Sequence, residues 1–251
     1  DDGDLGEFRA ISMYYWRAPF RYSKSTRWIQ RAECSGGVLV AEACHWFDLL
    51  RWFGGEVAHL ECTGTDQILP ETDFEDVAYV NLRYRSGAVG QMSHVLAGFG
   101  TALLIWVFGT KASAWGYVKS MESEDPFLGL GWPGEYGRVA VVPGHPHQDA
   151  ERSRLLAGVR VQMFGIEALE TENIRDYVKL YAACVARGAQ PPVLLEDGLR
   201  SLELSLAARA SLLDGGARVG LPLEAELEQR ATVGFLTQGA LARERRAHCQ
   251  P

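Results

Sequence analysis

The 251-residue chain is 47% hydrophobic and 23% charged with a formal net charge of -7, which excludes collagenous, coiled-coil and disordered classes and leaves room for one large or two small cores. Its longest apolar run, Ala102 to Phe108, is far short of the roughly 20 residues that cross a bilayer. The 25 basic residues lie scattered among 32 acidic ones and make no phosphate-backbone footprint, so neither a membrane nor a nucleic acid is expected as a partner.

The chain opens on Asp1-Asp2-Gly3-Asp4, without an initiator Met and without the basic and apolar regions of a signal peptide. Residues from Glu7 to Trp16 alternate with period two and are rich in aromatics, which predicts a strand. After a polar stretch, Gly36-Gly37 opens a helix predicted over Val38 to Phe53 and closed by Gly54-Gly55. Strands are predicted at Val57 to Thr65, Val77 to Tyr84, Ala88 to Leu96, Ala102 to Phe108 and Ser113 to Val118. The links Arg85-Ser86-Gly87 and Gly109-Thr110-Lys111 are too short for a parallel crossover, which predicts an antiparallel meander.

Ser120 to Pro146 reads as a Gly/Pro-rich loop interrupted by one apolar run, Val139 to Val142. Helical periodicity follows in Ile174, Tyr177, Val178, Tyr181 and Val185, ending at Gly188, and a second helix runs from about Glu196 to Leu213. Ala217 to Leu221 suits an edge strand and Glu224 to Ala247 a terminal helix. The order predicts an α+β fold, a mostly antiparallel open-faced β-sheet with helices packed on one face. Large residues on both alternating sets of the strands make the other face a contact surface, and a homo-oligomer through it is the expectation. Cys34, Cys44, Cys62, Cys184 and Cys249 form no C-x-x-C pair, which suits free thiols and a cytoplasmic protein.

Chemistry concentrates in the Val38 to Phe53 segment. Its apolar face centres on Trp46, Leu49 and Phe53, and Glu42 projects into that face while Arg51 points away. A buried carboxylate needs a partner, a proton or a cavity, and His45, three residues on, is the expected partner. The pair reads either as a local hydrogen bond or as an acid/base pair at a helix N-terminus. Tyr14, Arg17 and Trp28, with Tyr15 and Trp16, would wall a sugar ring, or else belong to the core or an interface. In Gly144-His145-Pro146-His147 the two histidines have zinc-chelating spacing at a strand end, but His59 and His94 stand isolated in strand patterns. No metal site is expected, and without one His145 reads as a solvated loop histidine.

The string from Ser35 to Gly55, SGGVLVAEACHWFDLLRWFGG, resembles the glycine-rich, His-containing segment of the glucose-fructose oxidoreductase / inositol dehydrogenase (Gfo/Idh/MocA) family. Leu5-Gly6-Glu7, Trp28, Phe108-Gly109-Thr110-Lys111, Gly144-His145-Pro146, Glu196-Asp197-Gly198-Leu199-Arg200 and Val219-Gly220-Leu221-Pro222 agree with it in order. The resemblance implies the C-terminal α+β domain, residues 1–222 with a helical tail 223–251, of an oxidoreductase that uses NAD or NADP on a sugar, polyol or related alcohol. It implies His45 as the catalytic residue that exchanges the proton of the reacting hydroxyl, Glu42 as its companion, and His145 at the border of the substrate cleft; Asp48 reads as a structural hydrogen-bonding residue rather than a catalyst. Many members carry Asp where this chain has Ala41, so Glu42 stands in for it one place later. No strand-linked Gly-x-Gly-x-x-Gly and no Glu-Lys-Pro occurs, so the cofactor is expected to be bound mainly by a separate N-terminal domain, and this chain alone is expected to be inactive in hydride transfer. Two rival readings are a stand-alone carbohydrate-binding or scaffold module and a metal-dependent hydrolase built on His145 and His147.

Overall fold

The computed structural model describes residues 5–17, 28–96, 102–119, 137–143, 170–229 and 231–232. Eight strands form one sheet: β1 (Phe8–Trp16), β2 (Val57–Thr65), β3 (Val77–Tyr84), β4 (Val89–Val95), β5 (Ala102–Gly109), β6 (Ala112–Lys119), β7 (Gly137–Pro143) and β8 (Val219–Gly220). The helices include α1 (Ala32–Ser35), α2 (Val38–Ala41), α3 (Ala43–Gly54), α4 (Glu170–Arg187) and α5 (Leu195–Leu213), with a 3-10 turn at Trp28–Gln30 before α1, and residues 225–229 and 231–232 are also helical.

The α+β class holds, but the sheet is not one meander. Its order is β7-β6-β5-β1-β4-β3-β2-β8. The two hairpins on the predicted short links, β3–β4 and β5–β6, form antiparallel as expected. β1 lies between them, antiparallel to β5 and parallel to β4. The first strand of the chain therefore joins two antiparallel ribbons into one sheet, a place that hairpin lengths do not encode. The apolar run around Val139 to Val142, read as a break in a loop, is the edge strand β7 paired with β6. β8 closes the other edge by pairing with β2.

Alternation sorts the side chains by face. Ile11, Met13 and Tyr15 of β1 lie in register with Gly90, Met92 and His94 of β4 and with Val107, Ile105 and Leu103 of β5. On this inner face α3 packs across β1 and β4, and α5 packs on β2 and against α3. The core unites that face with Leu39, Ala43, Phe47 and Leu50 of α2 and α3 and with Leu204, Ala207 and Ala208 of α5. Each large aliphatic or aromatic side chain so enclosed contributes about 1.5–3 kcal/mol. Leu223, Leu227 and Ala231 also join this core.

The opposite face carries Ser12, Tyr14, Tyr79, Trp106 and Phe108; Tyr79, Trp106 and Phe108 are exposed. Among the described residues no helix is long and apolar enough to cross a membrane.

The helix predicted over Val38 to Phe53 is two helices. Glu42, at φ -132° and ψ -43°, interrupts it. The break resets the buried stripe to Ala43, Phe47 and Leu50, spaced i, i+4, i+7. The expected centre, Trp46, Leu49 and Phe53, flanks that stripe and is only partly buried.

Candidate functional site

α1 ends on Gly36, whose left-handed φ of 81° lets its N–H close back onto the Ala32 carbonyl. Gly37 follows at φ 77°, and the chain turns into the single turn of α2. Phe74 and Glu75 approach Gly37 from the β2–β3 connection, and Arg209 of α5 approaches from the side. The Arg209–Glu75 ion pair, at 3.0 Å and almost wholly enclosed, pins that connection to α5, and Glu75 also accepts from the Leu39 N–H at 3.4 Å. These contacts fix where α2 begins, and so where Glu42 falls.

At the break, Glu42 turns its carboxylate toward the C-terminal ends of the parallel pair β1 and β4. Tyr15 donates to Oε1 at 2.9 Å and Arg17 donates to the same oxygen at 2.5 Å. Oε2 faces the His94 Nε2 at 3.5 Å. Tyr15 packs between the rings of Trp46 and His94, with centroids 4.4 Å and 4.9 Å away. Burial works against the Glu42 carboxylate, but the nearby His94 imidazole, followed by the Arg17 guanidinium, outweighs it and holds the carboxyl below its usual range. Burial, reinforced by the charge and hydrogen bond of Glu42, pushes the Tyr15 phenol well above its usual value. The site thus holds an ionised carboxylate framed by fixed donors.

Only part of the expected set comes together here. The Glu42 carboxylate contacts Tyr15, Arg17 and His94, so the expected pairing with His45 is replaced. His45 is exposed in the first turn of α3, its ring 6.4 Å from that of Trp46. The helix break is the physical reason, because the 100° spacing that put Glu42 beside His45 assumed an unbroken helix. Arg17 lies with Glu42, whereas Tyr14 points to the other face of the sheet and packs edge-on against Trp106. Period two forces that separation, and Tyr15 is the aromatic residue of β1 that reaches the carboxylate.

Trp28 is exposed in the 3-10 turn. His145 and His147 lie outside the described residues, so the expectation for His145 and the zinc reading both fall there. Among the described residues no group of three or more metal-type ligands gathers. Asp48 accepts from Ser201 at 2.9 Å and ties α3 to α5.

Sequence reasoning missed His94 and Tyr15 as partners of Glu42. A histidine on the apolar register of a strand was the available signal, since Met92 and His94 share the parity of the core-facing set. A nicotinamide dinucleotide normally rests on a Gly-rich turn between a strand and a helix of a parallel βαβ unit. The described residues offer no such cradle: β1 and β4 are the parallel pair, and the chain between them runs through α1–α3 and the β2–β3 ribbon. What they provide is a framed carboxylate and, in the first turn of α3, an exposed imidazole, groups able to orient and exchange the proton of a hydroxyl.

Residues 1–115 match the family model described as the GFO/IDH/MocA C-terminal domain. No curated protein matches the sequence. Three solved structures share the fold. The WlbA dehydrogenase from Bordetella pertussis, in complex with NADH and UDP-GlcNAcA, is 21% identical with a TM-score of 0.61, over 88% of this chain and 57% of its own. A levoglucosan dehydrogenase in complex with NADH and levoglucosan is 17% identical with a TM-score of 0.61, over 88% and 60%. An oxidoreductase from Agrobacterium radiobacter in complex with NAD+, L-tartaric acid and magnesium is 19% identical with a TM-score of 0.60, over 87% and 58%. The chain thus spans somewhat less than two thirds of the length of the structures it matches.

Proposed function

We propose, from the premise that this chain carries a C-terminal domain of the GFO/IDH/MocA family, that it is the substrate-binding domain of an NAD(P)-dependent oxidoreductase acting on a sugar, polyol or related alcohol. The observation that carries this reading is the Glu42 carboxylate, framed by Tyr15, Arg17 and His94, three residues before the exposed His45 in the chain. In this reading His45 exchanges the proton of the reacting hydroxyl. Glu42, held at the α2–α3 break, orients a neighbouring hydroxyl through Oε1, the oxygen that Tyr15 and Arg17 already frame. The nicotinamide, when bound, supplies the hydride acceptor or donor and is held mainly by residues outside this chain. Complexes of related folds with NADH and levoglucosan, or with NADH and UDP-GlcNAcA, support the substrate class by analogy of fold.

The test is an assay of the complete gene product with NAD+ and NADP+ over a panel of polyols that includes levoglucosan. His45→Ala is expected to lower turnover at least a hundredfold with nearly unchanged cofactor affinity, the scale of a lost general base. Turnover at the wild-type level in that variant overturns the assignment.

The outer face of the sheet belongs to the same proposal, as the surface through which two copies associate. Tyr79, Trp106 and Phe108 are each more than a third exposed there, with Tyr14 packed against Trp106. Trp106→Glu places a charge in that patch and is expected to convert the sedimenting species to a monomer. An unchanged sedimentation coefficient for the variant removes the association claim.

A further inference from the structure

Among the described residues, the buried side-chain atoms with no hydrogen-bond partner include Glu42 Oε2, His94 Nδ1, His94 Nε2 and Trp46 Nε1, and all of these gather around the Tyr15 ring. Buried polar atoms without partners are rare and costly, so four in one cluster call for a physical explanation. The two oxygens of Glu42 differ in kind. Oε1 takes both the Tyr15 and the Arg17 donors. Oε2 is closed to solvent and has only His94 Nε2 nearby, about 0.6 Å beyond a charge-assisted hydrogen bond. An ionised carboxylate oxygen can only accept, so the nitrogen facing it has to be the one that bears hydrogen.

The register of the sheet puts His94 there. In the parallel pairing His94 stands opposite Tyr15, and on the other side it stands opposite Ala78, whose small side chain leaves the imidazole space on the inner face. His94 is fully enclosed and does not meet solvent.

We infer that His94 is a positioning residue: its Nε2–H backs the hidden oxygen of Glu42 and sets the plane of the carboxylate, so that Oε1 is presented to the substrate hydroxyl. The inference rests on the reading that Glu42 serves at the substrate site, and it adds a residue that neither the sequence pattern nor the family match assigns. His94 works from inside the sheet and touches no substrate, because its ring is sealed behind Tyr15 and Glu42.

The experiment uses the full chain labelled with ¹⁵N-histidine, and long-range ¹H–¹⁵N correlation spectra at neutral pH. The His94 spin system is assigned by its loss in His94→Gln. The expected result is a proton on His94 Nε2, shielded from exchange, whose resonance moves upfield in Glu42→Gln while the fold is retained. A His94 protonated only at Nδ1, or a His94 signal unchanged by Glu42→Gln, overturns the inference.

A second arm titrates levoglucosan into wild type, His94→Gln and His94→Leu, with thermal melts as the check on folding. Gln keeps an N–H at about the reach of Nε2 and is expected to bind within a fewfold of wild type. Leu removes the donor and is expected to weaken binding about tenfold, the worth of one hydrogen bond to a charged group. Equal binding by folded Gln and Leu variants overturns the positioning role. Absence of levoglucosan binding in wild type counts against the proposed substrate class, and the imidazole spectra then decide the His94 assignment by themselves.

Discussion

Replacing Glu75 by Ala tests whether the connection between β2 and β3 holds the site in place. Arg209 is wholly enclosed and Glu75 nearly so, and their nitrogen and oxygen lie 3.0 Å apart. Truncation leaves the Arg209 charge in a low-dielectric setting without that carboxylate, which costs about 3–5 kcal/mol. The same change removes the acceptor for the Leu39 N–H in the first turn of α2, an additional loss of order 1 kcal/mol. Against a total stability of roughly 5–15 kcal/mol for a domain this is a large fraction. With a urea slope of about 2–3 kcal/mol/M for a chain of this size, the midpoint should fall by about 1.3–3 M. The assay is equilibrium urea unfolding followed by tryptophan fluorescence. The double variant Glu75→Met with Arg209→Met is the control, since exchanging both charges for apolar groups of similar size is often neutral or stabilising. A midpoint for Glu75→Ala within about 0.3 M of wild type would show that the pair is not a structural charge pair, and would refute the argument that it sets the start of α2.

Three further outcomes follow from particular contacts. The Glu42 carboxyl is held below its usual range, so its unfolded form binds a proton more readily than its folded form. The stability it contributes is present above about pH 5 and is lost as the pH falls through the folded value. The melting temperature of wild type should therefore drop faster than that of Glu42→Gln between about pH 5 and pH 3, and parallel acid limbs for the two proteins would contradict the shift. Gly54→Ala is expected to cost about 1–3 kcal/mol by chemical denaturation, because a Cβ there would meet the Tyr84 ring at 2.3 Å. That ring is fully buried and its hydroxyl donates to the Leu50 carbonyl at 2.9 Å, so it cannot swing away freely; a neutral Gly54→Ala would show that it can. Burial pushes the Cys62 thiol up to about 12, whereas Cys34 is exposed. A charged disulfide reagent at neutral pH should modify Cys34 in the native protein and Cys62 only above the urea midpoint, and rapid native labelling of Cys62 in peptide mapping would count against its burial.

Much of the local structure was legible in the chain because it is written in periods. Alternation over Glu7 to Trp16 and the strand-like runs Val57 to Thr65 and Val77 to Tyr84 marked β1, β2 and β3 to within a residue at each end, and the three-residue links identified both hairpins. Glu42 stands out because a carboxylate in an apolar stripe is chemically conspicuous, and Arg17 stands out as part of the wall that Tyr14, Tyr15, Trp16 and Trp28 would make for a sugar ring. Their meeting was not foreseen, and neither was the break at Glu42. Arg209 and Glu75, which pack near Gly37 at the start of α2, lie far from residue 42 in sequence, and no local propensity reports that packing.

The sequence by itself determined which residues form strands and helices, which face of each is apolar, and that an acidic residue near His45 needed a partner. Those properties depend on neighbours a few positions away, through steric period and solvent transfer. The tertiary structure alone decided that β1 enters between β4 and β5, since hydrogen-bonding edges are chemically alike and strand order is chosen by the packing of the whole sheet. It also decided that His94, opposite Tyr15 across a parallel pairing, and not His45 three residues on, is the imidazole that faces the Glu42 carboxylate. Coulombic and hydrogen-bond partners are set by distance in space, and that distance exists only once the register of β1 on β4 is in place.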